Sequence, residues 1–201
     1  MFDALACGRV ISLSSFRLVQ MDVVRRFRQH IGIGDYTAYI PIGEKTSMTD
    51  IQPARFPDDL DVVRAVFREY ADSLGIDLSF QSFDEELAAL PGKYAPPGGT
   101  ILLARNEAHV IGCVALRAFE YDVCEMKRLY VRPEGRGQQL GRRLAQAIVR
   151  TAKDAGYRKM RLDTLPTMQS AQRLYASMGF RPISAYVFNP VEGTQFLELD
   201  L

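Results

Sequence analysis

Tryptophan is missing from the 201 residues, histidine occurs twice and cysteine three times. His30 and His109 lie far apart, and Cys7, Cys113 and Cys124 form no close-spaced pair. A zinc site needs more such ligands at short spacing, so no metal is expected. An odd set of cysteines, two of them inside apolar stretches that read as strands, suits free thiols acting as small core hydrophobes. That usage fits a reducing compartment, and a cytoplasmic protein is expected. An excess of one charge is lacking too, since 25 Lys and Arg against 24 Asp and Glu leave a net +1. No broad basic field therefore invites nucleic acid. Apolar runs stay short of the roughly 20 residues that span a bilayer, so no membrane partner is expected either. With 47% hydrophobic and 24% charged residues, the composition is that of a soluble globular domain.

The chain divides near Met48 into an N-terminal extension, residues 1–47, and a compact α/β unit, residues 48–201. Within the extension, Val24, Phe27 and Ile31 share one face of an amphipathic pattern and three arginines the other. A targeting or membrane-surface helix is one reading, and a loosely attached segment ahead of a start at Met48 is the other. The lack of an apolar core segment and of a clean cleavage site favours the second. Gly32-Ile33-Gly34 lacks the third glycine and the preceding strand of a nucleotide fingerprint.

From Met48 onward, Thr49–Ala54 reads as a strand. Asp58 then caps a helix with Val62, Val63, Val66, Phe67, Tyr70 and Leu74 at helical spacing, ended by Gly75. A shorter helix is expected at Asp84–Leu90 and a Pro/Gly loop at residues 91–99. Ile101–Arg105, Val110–Arg117 and Cys124–Val131 read as strands, the first two joined by a hairpin at Asn106-Glu107-Ala108. Leu140, Leu144, Ile148 and Ala152 mark a helix that Gly156 stops. Met160–Thr164 is a strand, Ser170–Met178 a helix with Gly179 after it, and Pro182–Phe188 and Gln195–Leu201 are final strands about a turn at Asn189-Pro190. The strand–helix–strand run from Cys124 to Thr164 needs a crossover, so those two strands should be parallel in an otherwise antiparallel sheet.

The segment Leu129 to Leu144 is the informative one, where a strand ends, a tight loop turns and a helix starts. Such a turn presents unpaired N–H groups and the positive end of a helix dipole, a site for phosphate. Gly137 and Gly141 allow close approach. Arg136, Arg142 and Arg143 crowd the helix N-terminus, where each cation costs roughly 0.3–1 kcal/mol unless a bound polyphosphate offsets it. No Gly-Lys-Ser or Gly-Lys-Thr follows, so this is not a P-loop.

With those residues in view, the segment resembles the acetyl-CoA signature of the GNAT acetyltransferase superfamily, Arg/Gln-x-x-Gly-x-Gly/Ala after a strand. Arg136 and Gly141 hold its first and last positions, and Gln139 stands where the middle glycine is usual. Ala171 with Leu174-Tyr175-Ala176-Ser177-Met178-Gly179-Phe180 is similar to that family's Ala-x-x-Leu-Tyr-x-x-x-Gly-Phe helix, and Met168 replaces an Asn often found before it. Cys124–Val131 resembles the strand beside the pantetheine arm.

The resemblance implies a mixed, mostly antiparallel sheet with a parallel pair at the acetyl-CoA site and helices on both faces. It implies acetyl-CoA as co-substrate, held by Leu129, Val131, Arg136, Gly137, Gln138, Gln139, Leu140, Gly141 and Arg142. A small-molecule amine is the expected acceptor. A protein N-terminal or lysine amine, or a sensor domain without turnover, are the alternatives, and a homodimer is left open. Glu125 is the base candidate, for an alkyl ammonium with pKa about 10.4 must lose a proton before attack. Strand alternation puts it on one face with Lys127, Leu129 and Val131 unless a bulge shifts the phase. A pairing with Lys127 or Arg128 is its structural alternative. Tyr175 is the acid candidate, as a hydrogen-bond donor to the leaving sulfur. Asp77, Phe80, Gln81, Phe83, Asp84, Glu85, Tyr186 and Asn189 lie in regions that wall the acceptor in this family.

Overall fold

The computed structural model describes residues 49–201. The amphipathic pattern at residues 18–31, Cys7 and His30 lie outside them. The order is β1 (Asp50–Pro53), α1 (Leu60–Leu74), α2 (Phe83–Ala88), β2 (Thr100–Asn106), β3 (His109–Glu120), β4 (Val123–Val131), α3 (Leu140–Asp154), β5 (Lys159–Thr164), α4 (Gln169–Ser177), β6 (Arg181–Ile183) and β7 (Gln195–Asp200). Short 3₁₀ turns fill the gaps at Ser79–Gln81, Gly92–Tyr94 and Pro133–Gly135.

Seven strands form one sheet in the order β1-β2-β3-β4-β5-β7-β6. Every neighbouring pair is antiparallel except β4 and β5, which are parallel. The helix between them, α3, makes the crossover that parallel strands require. Alternation along the central strands sorts the core into two layers. Leu102, Ala104, Val114, Leu116, Met126 and Met160 pack with Leu140, Leu144, Ile148 and Ala152 of α3 and with Tyr175 of α4. Ile101, Leu103, Cys113 and Ala115 pack on the other face with Val63, Val66 and Phe67 of α1 and Leu87 of α2. Helices therefore cover both faces of a mixed sheet.

Helix ends follow their glycines. The N–H groups of Gly156 and Tyr157 return to Lys153 and Ala152, and those of Gly179 and Phe180 to Ala176 and Tyr175. Both are Schellman closures with the glycine at positive φ. Asp58 does not cap α1. It is exposed, and Asp59 holds the N-cap position without capping; its buried carboxylate accepts from the Arg55 N–H at 2.8 Å and from Arg105 at 2.6 Å. The expected strand at Pro182–Phe188 is cut to Arg181–Ile183. Beyond Ile183 the chain leaves the sheet so that the Tyr186 ring can sit against Phe119 and Phe196, at 5.1 and 5.6 Å between centroids.

Leu144 is fully buried between α3 and the sheet. Leu144→Ala should cost about 2–5 kcal/mol, read as a lower urea midpoint with an unchanged slope.

Candidate active site

The site is made where β4 and β5 part. Their parallel pairing covers Val123–Lys159, Cys124–Met160 and Glu125–Arg161 and goes no further. On its other side, β4 runs from Lys127 to Tyr130 while β3 runs only from Ala115 to Cys113, so β4 carries one extra residue. That is a β-bulge. Arg128 sits in it at φ 57, a conformation that costs a residue with a Cβ roughly 1–2 kcal/mol.

The buried Arg128 side chain fastens the bulge to α2. Its guanidinium donates to both oxygens of Glu86 at 2.8 and 2.9 Å and to Gln81 at 3.2 Å. It also lies 5.0 Å from the Phe83 ring centre and 5.7 Å from that of Tyr70, within cation–π range.

The extra residue reverses the alternation. Cys124 and Met126 point into the α3 layer, so Glu125 and Lys127 point toward α2, whereas Leu129 and Val131 pack with the α3 layer. The straight-strand expectation that all four share one face is corrected by the bulge.

Leu129 and Val131 wall a groove of about 750 Å³ between the Arg136–Gly141 loop and the start of α4. The Arg136 N–H closes the preceding turn onto Pro133, and Arg143 is the first whose N–H bonds within α3, to Gln139. Successive N–H groups from Gly137 to Arg142 have no acceptor among the described residues, and no side chain caps the helix. A Cβ added at Gly137 (φ 82) would meet nothing within 4 Å. A row of unsatisfied donors at a helix N-terminus, facing open space, fits a polyphosphate.

Gln139 is not helical here. It holds the N-cap position at φ 54, the left-handed conformation a glycine would take without strain. The arginines divide their work. Arg136 lines the groove and bonds the Val131 carbonyl at 3.3 Å, but Arg142 reaches Ser177 at 2.9 Å and Arg143 the Thr49 carbonyl at 2.6 Å. Neither of the last two side chains faces the groove, and the Gln138 side chain is off its lining as well. Tyr70 and Ser73 of α1 and Arg173 of α4 do line it. No local pattern marks them, since they arrive from helices distant in sequence.

Glu125 is 0% exposed. Its partner is Arg117, which places Nε and Nη2 each 2.6 Å from Oε2, rather than Arg128 as one reading had it. The Tyr186 hydroxyl donates to Oε1 at 3.0 Å, and the Lys127 ammonium stands 3.7 Å away. Lys127 donates instead to Asp163 at 3.0 Å, whose other oxygen accepts from Asn189 at 2.9 Å. Burial acts to raise the Asp163 pKa, but the Lys127 charge and the two hydrogen bonds outweigh it and hold the carboxyl below its ordinary 3.8. Arg117, Glu125, Lys127 and Glu86 border a recess of about 290 Å³, with Phe80, Gln81, Lys93 and Phe188 around it. Of the other residues expected at the acceptor wall, Asp77 instead caps the turn at Ser79, at 2.8 Å to its N–H, and Asn189 braces Asp163.

Between groove and recess lies a narrow passage lined by Leu129, Lys127, Thr164 and Tyr175. Tyr175 is buried against Phe180, and its hydroxyl makes no hydrogen bond among the described residues. Burial pushes its pKa upward, so it keeps its proton and can donate. Cys124 points into the α3 layer, to the other face of the sheet from Glu125, and burial pushes its thiol up to about 12. It is not a nucleophile for this site. No group of three or more His, Cys, Asp or Glu residues suited to a metal ion occurs among the described residues, and no helix among them is long and apolar enough to cross a membrane.

The sequence model of the acetyltransferase (GNAT) family matches residues 63–180, from within α1 to just past α4, and so takes in Glu125, the Arg136–Gly141 loop and Tyr175. The chain belongs to the GNAT family. An uncharacterized N-acetyltransferase of Schizosaccharomyces pombe is 43% identical over 159 residues, covering 78% of this chain and 98% of that one. An uncharacterized N-acetyltransferase of Escherichia coli is 30% identical over 61% of this chain and 74% of its own. Among solved structures, the PaiA N-acetyltransferase of Thermoplasma acidophilum in complex with coenzyme A shares the fold at TM-score 0.62 and 19% identity, over 77% of this chain and 99% of that one. This GNAT protein is an acyl-CoA-dependent N-acyltransferase.

The depressed Asp163 pKa has a stability consequence. As pH falls through the range between the unfolded and folded pKa values, the unfolded state binds more protons, and stability drops. Asp163→Asn should flatten the loss of stability below about pH 4, checked by urea melts from pH 7 to pH 3.

Proposed function

We propose that this GNAT enzyme moves the acetyl group of acetyl-CoA to a primary amine of a small or amino-acid-like molecule, by direct attack within a ternary complex. The observation that carries the reading is the unpartnered run of N–H groups from Gly137 to Arg142, opening beside a passage that leads to a buried carboxylate. The recess is at the low end of the roughly 300–1,000 Å³ of ligand pockets, which favours a small acceptor. Two buried free thiols, Cys113 and Cys124, support a cytoplasmic setting.

The loop and helix start would bind the pyrophosphate through backbone donors, with Arg136 beside them and Leu129 and Val131 along the pantetheine arm. When bound, acetyl-CoA supplies the activated thioester carbonyl. Leu129 lies at the bulge and has no partner in the register of either neighbouring strand, so its N–H is the donor we assign to the carbonyl oxygen.

Glu125 takes the proton from the acceptor ammonium. A carboxylate has about four lone-pair sites, and Arg117 and Tyr186 occupy three of them. The remaining one, on Oε1, is the position we assign to the acceptor's proton, passed through a water admitted with the acceptor, since Glu125 borders the recess but is itself fully buried. Tyr175 donates a hydrogen bond to the departing sulfur. Its raised pKa makes complete transfer unfavourable, so the bond acts by strengthening as charge develops.

CoA release with acetyl-CoA and a panel of amines, amino acids and peptides tests the reading. Tyr175→Phe should lower kcat by about 10²-fold with little change in KM for acetyl-CoA, and an unchanged kcat would remove its role. Glu125→Gln should reduce kcat/KM most where the amine is protonated. A pH profile parallel to wild type would show that Glu125 only anchors Arg117.

A further inference from the structure

The recess beneath α2 keeps one bordering cation outside its ion pairs. Glu86 is matched by Arg128, Glu125 by Arg117, and Asp163 by Lys127. Lys93, on the turn Gly92–Tyr94, also borders the recess and has no acid within 4 Å among the described residues. Arg117 spends Nε and Nη2 on a single oxygen of Glu125, which leaves Nη1 without a partner among those residues. A neighbouring cavity of about 200 Å³ shares Gln81, Ser82, Glu86, Lys93 and Arg117 with the recess, so the two adjoin around the same two cations. Glu85 borders the second cavity too, exposed like Lys93 and outside any ion pair.

Beside that space the buried Tyr94 hydroxyl makes no close hydrogen bond, and the Glu86 carboxylate lies near it.

We propose that this space is a carboxylate subsite, in which Arg117 and Lys93 hold an acidic group of the acceptor, so that the acceptor is an amine that also carries a carboxylate, such as a free amino acid. The proposal rests on the acetyl-transfer reading above and narrows it. Arg117 offers the planar donor that suits a carboxylate. The same residue also holds Glu125, so one guanidinium sets both the acid group of the acceptor and the carboxylate that receives its proton. In a protein N-terminus the α-carboxylate is tied up as an amide, and a lysine side chain within a peptide lacks one as well, so such acceptors are disfavoured by the same feature.

The test measures CoA release by the full chain with acetyl-CoA and the common α- and ω-amino acids, each paired with its own carboxamide. For at least one pair, kcat/KM for the acid should exceed that for the amide by about tenfold or more, the size of one lost charge-assisted hydrogen bond. Lys93→Met, an exposed position that folding tolerates, should raise KM for the acid and shrink the acid-to-amide ratio severalfold. Equal efficiency on acid and amide would overturn the subsite while leaving acetyl transfer intact. So would a ratio unchanged in Lys93→Met. Release with neither class would overturn the acetyl-transfer reading and this inference with it.

Discussion

Two parallel strands that begin hydrogen-bonded and then separate leave backbone and side chains facing an opening instead of each other. In this GNAT protein β4 and β5 keep company for three register pairs and part after Glu125 and Arg161. The groove, the passage and the recess all take a wall from β4. What holds the strand in that shape is Arg128, whose left-handed backbone is unfavourable alone and is stabilised by a bidentate bond to Glu86. Such a charge-assisted pair is stronger than a neutral bond, and it secures α2 over the acceptor side at the same time. Fold and site are therefore not separate layers of this protein. One ion pair fixes the strand that carries the chemistry and the helix that roofs the recess.

The charged row beneath α2 follows a second rule. A buried ion is tolerated only with a partner and with its remaining hydrogen-bonding positions filled. Arg117 with Glu125 and Lys127 with Asp163 come close to that rule through Tyr186 and Asn189, both supplied by the irregular stretch after β6, with Arg117 Nη1 and one position on Glu125 Oε1 left over. This explains why that stretch abandons the sheet despite its strand-like Tyr-Val-Phe. Side-chain hydrogen bonds to buried carboxylates are worth more to the fold than three further rungs on an edge strand.

Most of the architecture was legible from periodicity and glycine placement. The parallel pair followed from the crossover, and Gly75, Gly156 and Gly179 marked helix ends by their need for positive φ. The cofactor loop was legible because local geometry, a strand-to-helix turn, creates its donors. The rest was not, for physical reasons. Arg117 sits on β3 and meets Glu125 across antiparallel register, a pairing no spacing in the sequence reveals. The bulge at Arg128 carries no glycine or asparagine to announce it. Arg142 and Arg143 flank the helix start, and only the structure shows that their side chains meet Ser177 of α4 and the Thr49 carbonyl just before β1.

The bulge changes what kind of variation β4 can accept. Side chains in a strand alternate with period two, so a bulge is a change of parity: everything after it is displaced by one half-cycle. Replacing Arg128 would weaken its hold on α2 but keep the count. Forcing the same residues into regular pairing with β3 would turn Leu129 and Val131 toward α2 and away from the groove, whereas deleting Arg128 would restore regular pairing and leave both on the α3 side, Leu129 then standing opposite Val114. At this length the faces of Leu129 and Val131 depend on one position staying out of register, and the hold on α2 depends on that position being Arg128.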